Sequence, residues 1–256
     1  MKTIDCLGYS IFSKDRLPEC LMEKKMIVNT INPHSYCVAK NDKFYNDALH
    51  YSDILLPDGI GIVWAIQILT GNKIVRLTGS DLHYRLLQKM NEDSGTVFYL
   101  GSSSATLKNI QKKVMREYPN IVVATYAPPF KPVFTEADND KILAAINEFQ
   151  PDVLFVGMTA PKQEKWVHKN KNQIEAKVIC SVGAVFDFYS GTVKRPGKFW
   201  IRMYMEWFLR LLRNPKKLWR RSFISAPHFL FDVFLTEAGL LKRRLNDSIH
   251  SFIFCR

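Results

Sequence analysis

Asp58 closes the apolar run Leu55-Leu56-Pro57 and is followed by Gly59-Ile60-Gly61. A carboxylate in such company is costly unless it is paired or put to use. Two roles suit it: capping a helix through Ile60, Val63, Trp64 and Ile66 by accepting a free backbone N–H, or taking the proton from an attacking hydroxyl. The two glycines permit close approach of backbone or ligand, but the pair lacks the full dinucleotide spacing. Thr30-Ile31-Asn32-Pro33-His34 poses the same choice, because Asn32 is a good helix cap and Pro33 a good first helical residue.

Three further stretches bear on anion binding. In VGMTAPKQEKW (156–166), a strand predicted to end at Gly157 leads through Pro161 into a helix. The free N–H groups of such a start can hold a phosphate, with Lys162 and Gln163 as side-chain donors. The alternative is an ordinary proline-started helix. In YLGSSSATL, Gly101 ends a strand and Ser102 begins a serine run that opens a helix. Two such starts in one sheet suit a nucleotide diphosphate. In SVGAVFDF, Asp187 is a candidate for hydrogen bonding to sugar or ribose hydroxyls, or else a turn carboxylate.

The elements that must position these residues follow from periodicity. Residues 24–31, 52–57, 96–101, 120–126, 152–158 and 176–182 read as strands, being short, rich in Val and Ile and bounded by turn residues. Residues 103–117 and 138–149 place apolar side chains at helical spacing. This alternation predicts an α/β fold, a Rossmann-like and mostly parallel sheet flanked by helices, with ligands bound beyond the carboxyl ends of the strands. Every residue singled out above lies at such an end.

The 256 residues carry a net charge of +12, distributed unevenly. Residues 1–190 hold 22 Lys and Arg against 20 Asp and Glu, and residues 191–256 hold 14 against 4. The division predicts a catalytic core over 1–190 and a basic, aromatic-rich appendage over 191–256, whose partner is an anionic surface or polymer. Within the appendage Trp200, Met203, Tyr204, Trp207 and Leu211 share a helical face, the pattern of a helix lying in a membrane interface. Packing of that face on the sheet or on a neighbouring subunit is the alternative. Arg210, Arg213, Arg220 and Arg221 are candidates to hold a lipid-linked diphosphate.

Five cysteines without a C-x-x-C pair read as reduced thiols, and the amino terminus has no signal-like apolar stretch. Residues 222–241 carry Pro227, His228, Asp232 and Glu237, too polar for a membrane span. A cytoplasmic protein attached peripherally to the inner face of the plasma membrane is expected. Asp138-Asn139-Asp140 falls where a helix is predicted, and the histidines form no ligand pair, so no metal is expected.

Taken together, TINP, LPDGIGIVWA, RLTGSDL, VGMTAPKQEKW, GAVFDFYSGTVKRP and EWFLRLLRNPKKLWRR resemble the WecG/TagA/CpsF glycosyltransferases of bacteria over roughly residues 5–222. The resemblance implies an inverting, metal-independent transfer, without a cofactor, from a UDP-sugar to a polyprenyl-diphosphate-linked sugar in cell-surface polysaccharide or teichoic-acid assembly. The sugar would be N-acetylmannosamine, its uronic acid, or a hexose such as glucose. By motif, it makes Asp58 the general base with Thr30 close by, and Arg76, Gln163 and Asp187 pocket residues. Asn32, Gly59, Gly101, Ser102, Gly157 and Lys162 join them as substrate-binding candidates. His34 stands where an acidic residue often follows "NP", and Thr159 where glycine is usual.

The rival reading is a nucleic-acid-binding α/β protein using its basic segment, motivated by a pI near 9.5. It leaves Asp58 and the phosphate-friendly helix starts without a role, and no nucleic acid is expected as partner. A nicotinamide-dependent dehydrogenase lacks its G-x-G-x-x-G. The sequence does not set a copy number and is compatible with a homo-oligomer.

Overall fold

Runs that are apolar on both faces become central strands. Val153, Leu154, Phe155 and Val156 are each 0% exposed, as a strand covered by helices on both sides requires. In a computed structural model, which describes residues 2–193, 206–213 and 215–239, six such strands form one parallel sheet. They are β3 (Met26–Ile31), β4 (Ile54–Pro57), β5 (Thr96–Gly101), β6 (Val122–Tyr126), β7 (Val153–Gly157) and β8 (Val178–Ser181). Their order is β4-β3-β8-β7-β5-β6. All six strands predicted from the sequence are present. A short antiparallel hairpin, β1 (Thr3–Cys6) and β2 (Tyr9–Phe12), precedes them and was not anticipated.

The intervening helices are α1 (Pro33–Asn41), α2 (Lys43–His50), α3 (Ile60–Thr70), α4 (Gly79–Glu92), α5 (Ser104–Glu117), α6 (Glu136–Phe149), α7 (Lys162–Asn170) and α8 (Val185–Tyr189). Leu82 and Leu86 of α4, Leu107 and Ile110 of α5 and Phe186 of α8 pack with Val28 and Leu56 on one face. Ile142 of α6 and Val167 of α7 pack with Ile27 and Ile179 on the other. Asp138 closes a capping box with Thr135 at the start of α6.

Strand order locates the mouth of the fold. The chain leaving β3 runs outward to β4, and the chain leaving β5 runs outward to β6 in the opposite direction, so the ends of β8 and β7 lie between diverging connections. A crevice at this point is the usual binding place of an open α/β sheet.

The basic segment is helical where described: α9 (Glu206–Arg213), α10 (Pro215–Arg220), a π-turn (Arg221–Ser225) and α11 (226–239). Helix α11 is joined to the core. Phe229 and Val233 are buried in the cluster that holds Tyr36 of α1 and Ile62 and Ile66 of α3. Phe229 meets Tyr36 edge-on at 5.3 Å between ring centroids. Lys40 pairs with Asp232 at 2.7 Å. No helix among the described residues is long and apolar enough to cross a membrane.

Candidate active site at the strand ends

The β3–β4 edge carries the side chains that could do chemistry. Thr30 pairs in register with Leu56 and Ile31 with Pro57, and Asp58 extends the pairing by donating its N–H to Ile31 O at 2.8 Å. Thr30, Asn32 and Asp58 are all half-buried. Asp58 is not the cap of α3. That position belongs to Gly59, at φ 97°, and no side chain caps the helix. The left-handed turn at Gly59 inserts one residue between carboxylate and helix, leaving Asp58 outside the capping geometry.

Asn32 does cap α1, accepting from His34 N and Ser35 N, while Ser35 Oγ accepts from Asn32 N. The expected N-cap with proline at the first helical position is therefore met. The cap fixes the turn beside Thr30, and it consumes the Asn32 carboxamide oxygen.

Arg76 reaches this edge because Leu77 N donates to Pro57 O at 3.1 Å, which lays residues 76–78 alongside the end of β4. The next helix, α4, starts with a capping box between Thr78 and Asp81. At Gly79 it packs against Val182 and Val185, where a Cβ would meet the Val185 methyl at 3.4 Å. Asp187, on α8, is half-buried.

The β5–β7 centre is built differently. Gly101 and Gly157 are register partners. Gly101 has φ 116°, and a Cβ there would lie 2.5 Å from Gly157 O; a Cβ on Gly157 would lie 2.6 Å from the Phe186 ring. Both positions need glycine for packing. Ser102 (φ 58°) and Thr159 (φ 71°) are also left-handed, which is uncommon for any side chain and an outlier for a β-branched one. Thr159 thus occupies the backbone conformation that favours the glycine of the family pattern. The helix cap after β5 is Ser103, not Ser102.

Lys162 and Gln163 turn inward or aside. The Lys162 amine donates to Lys131 O and lies 3.8 Å from the centre of the Phe134 ring. Gln163 is buried, accepting from Met158 N at 3.2 Å and donating to Glu164 Oε1 at 2.8 Å. In this conformation both side chains shape the β7–α7 loop.

The appendage meets the polar edge. His34 Nδ1 hydrogen-bonds Ser225 Oγ at 2.8 Å, and Cys37 Sγ donates to Ser225 O. Burial, aided by the nearby Arg221 cation, holds the His34 imidazole below its ordinary range. Arg221 therefore lies at the amino end of α1, close to the turn after β3. Ser225 was not singled out in the sequence, and nothing local marks it, since its partner is 191 residues away. Arg220 is exposed and stacks over Trp219. Arg210 and Arg213 fall on α9, with side chains outside the described part of the structure, as is that of Trp207. Trp200, Met203 and Tyr204 lie outside the described residues. Leu211 is buried. Phe223, Leu230, Phe231, Phe234 and Leu235 are exposed on the side of the appendage turned from the core.

Among the described residues no cluster of three or more His, Cys, Asp or Glu side chains has a metal-binding arrangement. Two concavities of about 450 and 530 Å³ lie by the β1–β2 hairpin, around Tyr9 and His50. They contain none of the residues selected from the sequence.

This is an α/β enzyme architecture with its polar groups gathered at the carboxyl edge of a parallel sheet. Residues 3–243 match the model of the glycosyl transferase WecG/TagA/CpsF family, and the chain belongs to that family. It is a glycosyltransferase. It is similar to proteins named N-acetylglucosaminyldiphosphoundecaprenol N-acetyl-beta-D-mannosaminyltransferase. That of Bacillus subtilis (strain 168) is 32% identical over 225 residues, covering 87% of this chain and 85% of the relative. That of Bacillus spizizenii is 33% identical over 219 residues, covering 86% and 82%. That of Staphylococcus aureus (strain MW2) is 27% identical over 219 residues, covering 86% and 84%.

Proposed function

We propose that the protein transfers N-acetylmannosamine, or a closely related sugar, from a UDP-sugar to a sugar carried on a polyprenyl diphosphate, with inversion and without a metal. The observation that carries this reading is the gathering of Thr30, Asp58 and Arg76 at one strand edge, with Arg221 of the appendage arriving at the same end. The names of the relatives support the acceptor class and the sugar.

In the proposed step the acceptor hydroxyl oxygen attacks the anomeric carbon from the face opposite the nucleotide. Asp58 takes the hydroxyl proton as the new C–O bond forms, and the bond from the anomeric carbon to the diphosphate oxygen breaks, with its electron pair leaving on UDP. Thr30 orients the carboxylate. Arg76 and backbone N–H groups at the strand ends stabilise the departing diphosphate, a preorganised role that a cation otherwise fills. Asp187 holds donor hydroxyls. Arg221, with Arg210, Arg213 and Arg220, holds the diphosphate of the acceptor lipid, each contact charge-assisted.

The exposed Phe223, Leu230, Phe231 and Phe234 with the neighbouring arginines support attachment to an anionic bilayer surface, about 1 kcal/mol being contributed by each basic residue there. Incubation with a panel of UDP-sugars and a short-chain polyprenyl-diphosphate N-acetylglucosamine, with and without EDTA, tests the reading. The expected result is one heavier product of inverted anomeric configuration, formed equally with chelator. Absence of product with every UDP-sugar overturns it.

A further inference from the structure

Beneath the strand ends, Asn29 Oδ1, Ser181 Oγ and Glu164 Oε2 are buried with no hydrogen-bond partner among the described residues, and Tyr45 OH, on a fourth element, has only the Ser35 side chain to bond. Their hosts are 1–2% exposed. The register Val28↔Cys180 makes Asn29 and Ser181 lateral neighbours, one residue further along β3 and β8. Alternation turns them to the face shared by Ile27 and Ile179, where Val167 of α7 packs. Tyr45, on α2, faces the Glu164 carboxyl electrostatically and lies beside Ser35. Helices α2 and α7 are held together by the Lys165–Asp42 pair at 2.8 Å. Both pairs lie on the face of the sheet that α7 covers, between the apolar cluster of α6 and α7 and that of α1, α2 and α3.

An orphaned buried polar atom costs about 1–3 kcal/mol, so atoms such as these call for a partner. Water suits the set: it donates two hydrogen bonds and accepts two, and needs only two to four polar partners.

We propose that these groups line one polar chamber and that Glu164 is a positioning residue, which fixes the Gln163 carboxamide through one oxygen and, through the other and ordered water in the chamber, ties it to Tyr45, Asn29 and Ser181. Two loops of the candidate site hang on the arrangement. Gln163 holds Met158 N–H in the loop after β7, and its carboxamide lies 3.5 Å from where a Cβ of Gly183, in the turn after β8, would sit. Tyr45 neighbours Ser35, whose hydroxyl binds the Asn32 cap beside Thr30. Glu164 thus joins the turn after β3 to those after β7 and β8. Burial pushes its carboxyl up to about 7, so near neutrality much of it is the acid, whose O–H can donate into the chamber.

The test compares Glu164→Leu and Glu164→Gln in the full chain. Glu164→Leu keeps the volume and removes both oxygens; exchange of the Met158 amide hydrogen should accelerate roughly tenfold while amides inside β7 keep their protection. Glu164→Gln, which retains an acceptor for Gln163 Nε2, should restore the slow exchange. Unchanged Met158 exchange in Glu164→Leu, equal acceleration throughout the chain, or failure of Glu164→Gln to rescue would each overturn the proposal. If Glu164→Leu does not fold, a high-resolution crystal structure of the unaltered protein decides. Water bridging Glu164 Oε2 to at least two of the other three atoms supports the chamber, and a dry one refutes it. None of these measurements requires turnover, so they stand apart from the reading of donor and acceptor. Where transfer is measurable, Glu164→Leu should raise the donor KM about tenfold and leave kcat nearly unchanged.

Discussion

At the β3–β4 edge the sheet ends in side chains, and at the β5–β7 centre it ends in bare backbone. Thr30, Asn32, Asp58 and Arg76 surround the first region, whereas Gly101 and Gly157 abut in the second so closely that neither tolerates a Cβ. Both are spelled with small and polar residues after an apolar run. The same spelling serves chemistry where the backbone leaves room in front of the strand. It serves packing where a helix such as α8 is drawn down onto it.

The difference can be broken in order of expected size. Asp58→Asn should lower transfer about a hundred- to ten-thousand-fold with little change in melting temperature, as loss of a general base does. A parallel loss of stability would move Asp58 into the packing class with the glycines. Gly157→Ala should do the reverse. Its methyl would fall 2.6 Å from the Phe186 ring, and overpacking of this kind costs about 1–3 kcal/mol, read as a fall in the denaturation midpoint. An unchanged midpoint would show the centre to be less tightly built than described.

Thr159→Gly sharpens the contrast by relieving the centre. A side chain held left-handed costs roughly 1–2 kcal/mol, partly offset by the chain entropy of glycine, so a gain near 1 kcal/mol is expected in urea unfolding. The smallest effect concerns the polar edge. His34 is held below its ordinary range by burial and by Arg221, so its imidazole takes up a proton at higher pH when the segment is released than when it is docked. Docking of residues 221–233 is therefore full above about pH 6.5 and weakens as pH falls below it. Hydrogen exchange of that segment at stepped pH should show this, with His34→Gln flattening the profile; identical profiles would exclude His34 as the cause.

The strands were legible because double-sided burial writes itself as unbroken Val, Ile, Leu and Phe, and the helices because Leu107, Ile110 and Val114 repeat at their period. The hairpin was missed because Thr3–Cys6 and Tyr9–Phe12 are too short for alternation to stand out. Asn32 was read correctly as a cap because that signal is local. The two roles open to Asp58 could not be separated in the sequence, because the left-handed Gly59 that takes the cap position is a backbone choice, invisible in residue names. Glu164 and Ser225 have neighbours far along the chain, Tyr45 and His34, and no spacing rule reaches them. The junction drawn at residue 190 marks a real change in charge, although Phe229 and Val233 beyond it share an apolar cluster with α1 and α3.

The π-turn at Arg221–Ser225 sets a phase. A wide turn holds one residue more than an ordinary helical one, so side chains before and after it are offset by one position from an unbroken helix. That offset lets Arg221 approach the α1 start while Phe229 enters the core. Shortening the segment by a single residue would swing one of them about 100° around the axis. Length here is as constrained as composition, and a deletion that spares every charged and aromatic residue should still uncouple the basic arm from the sheet.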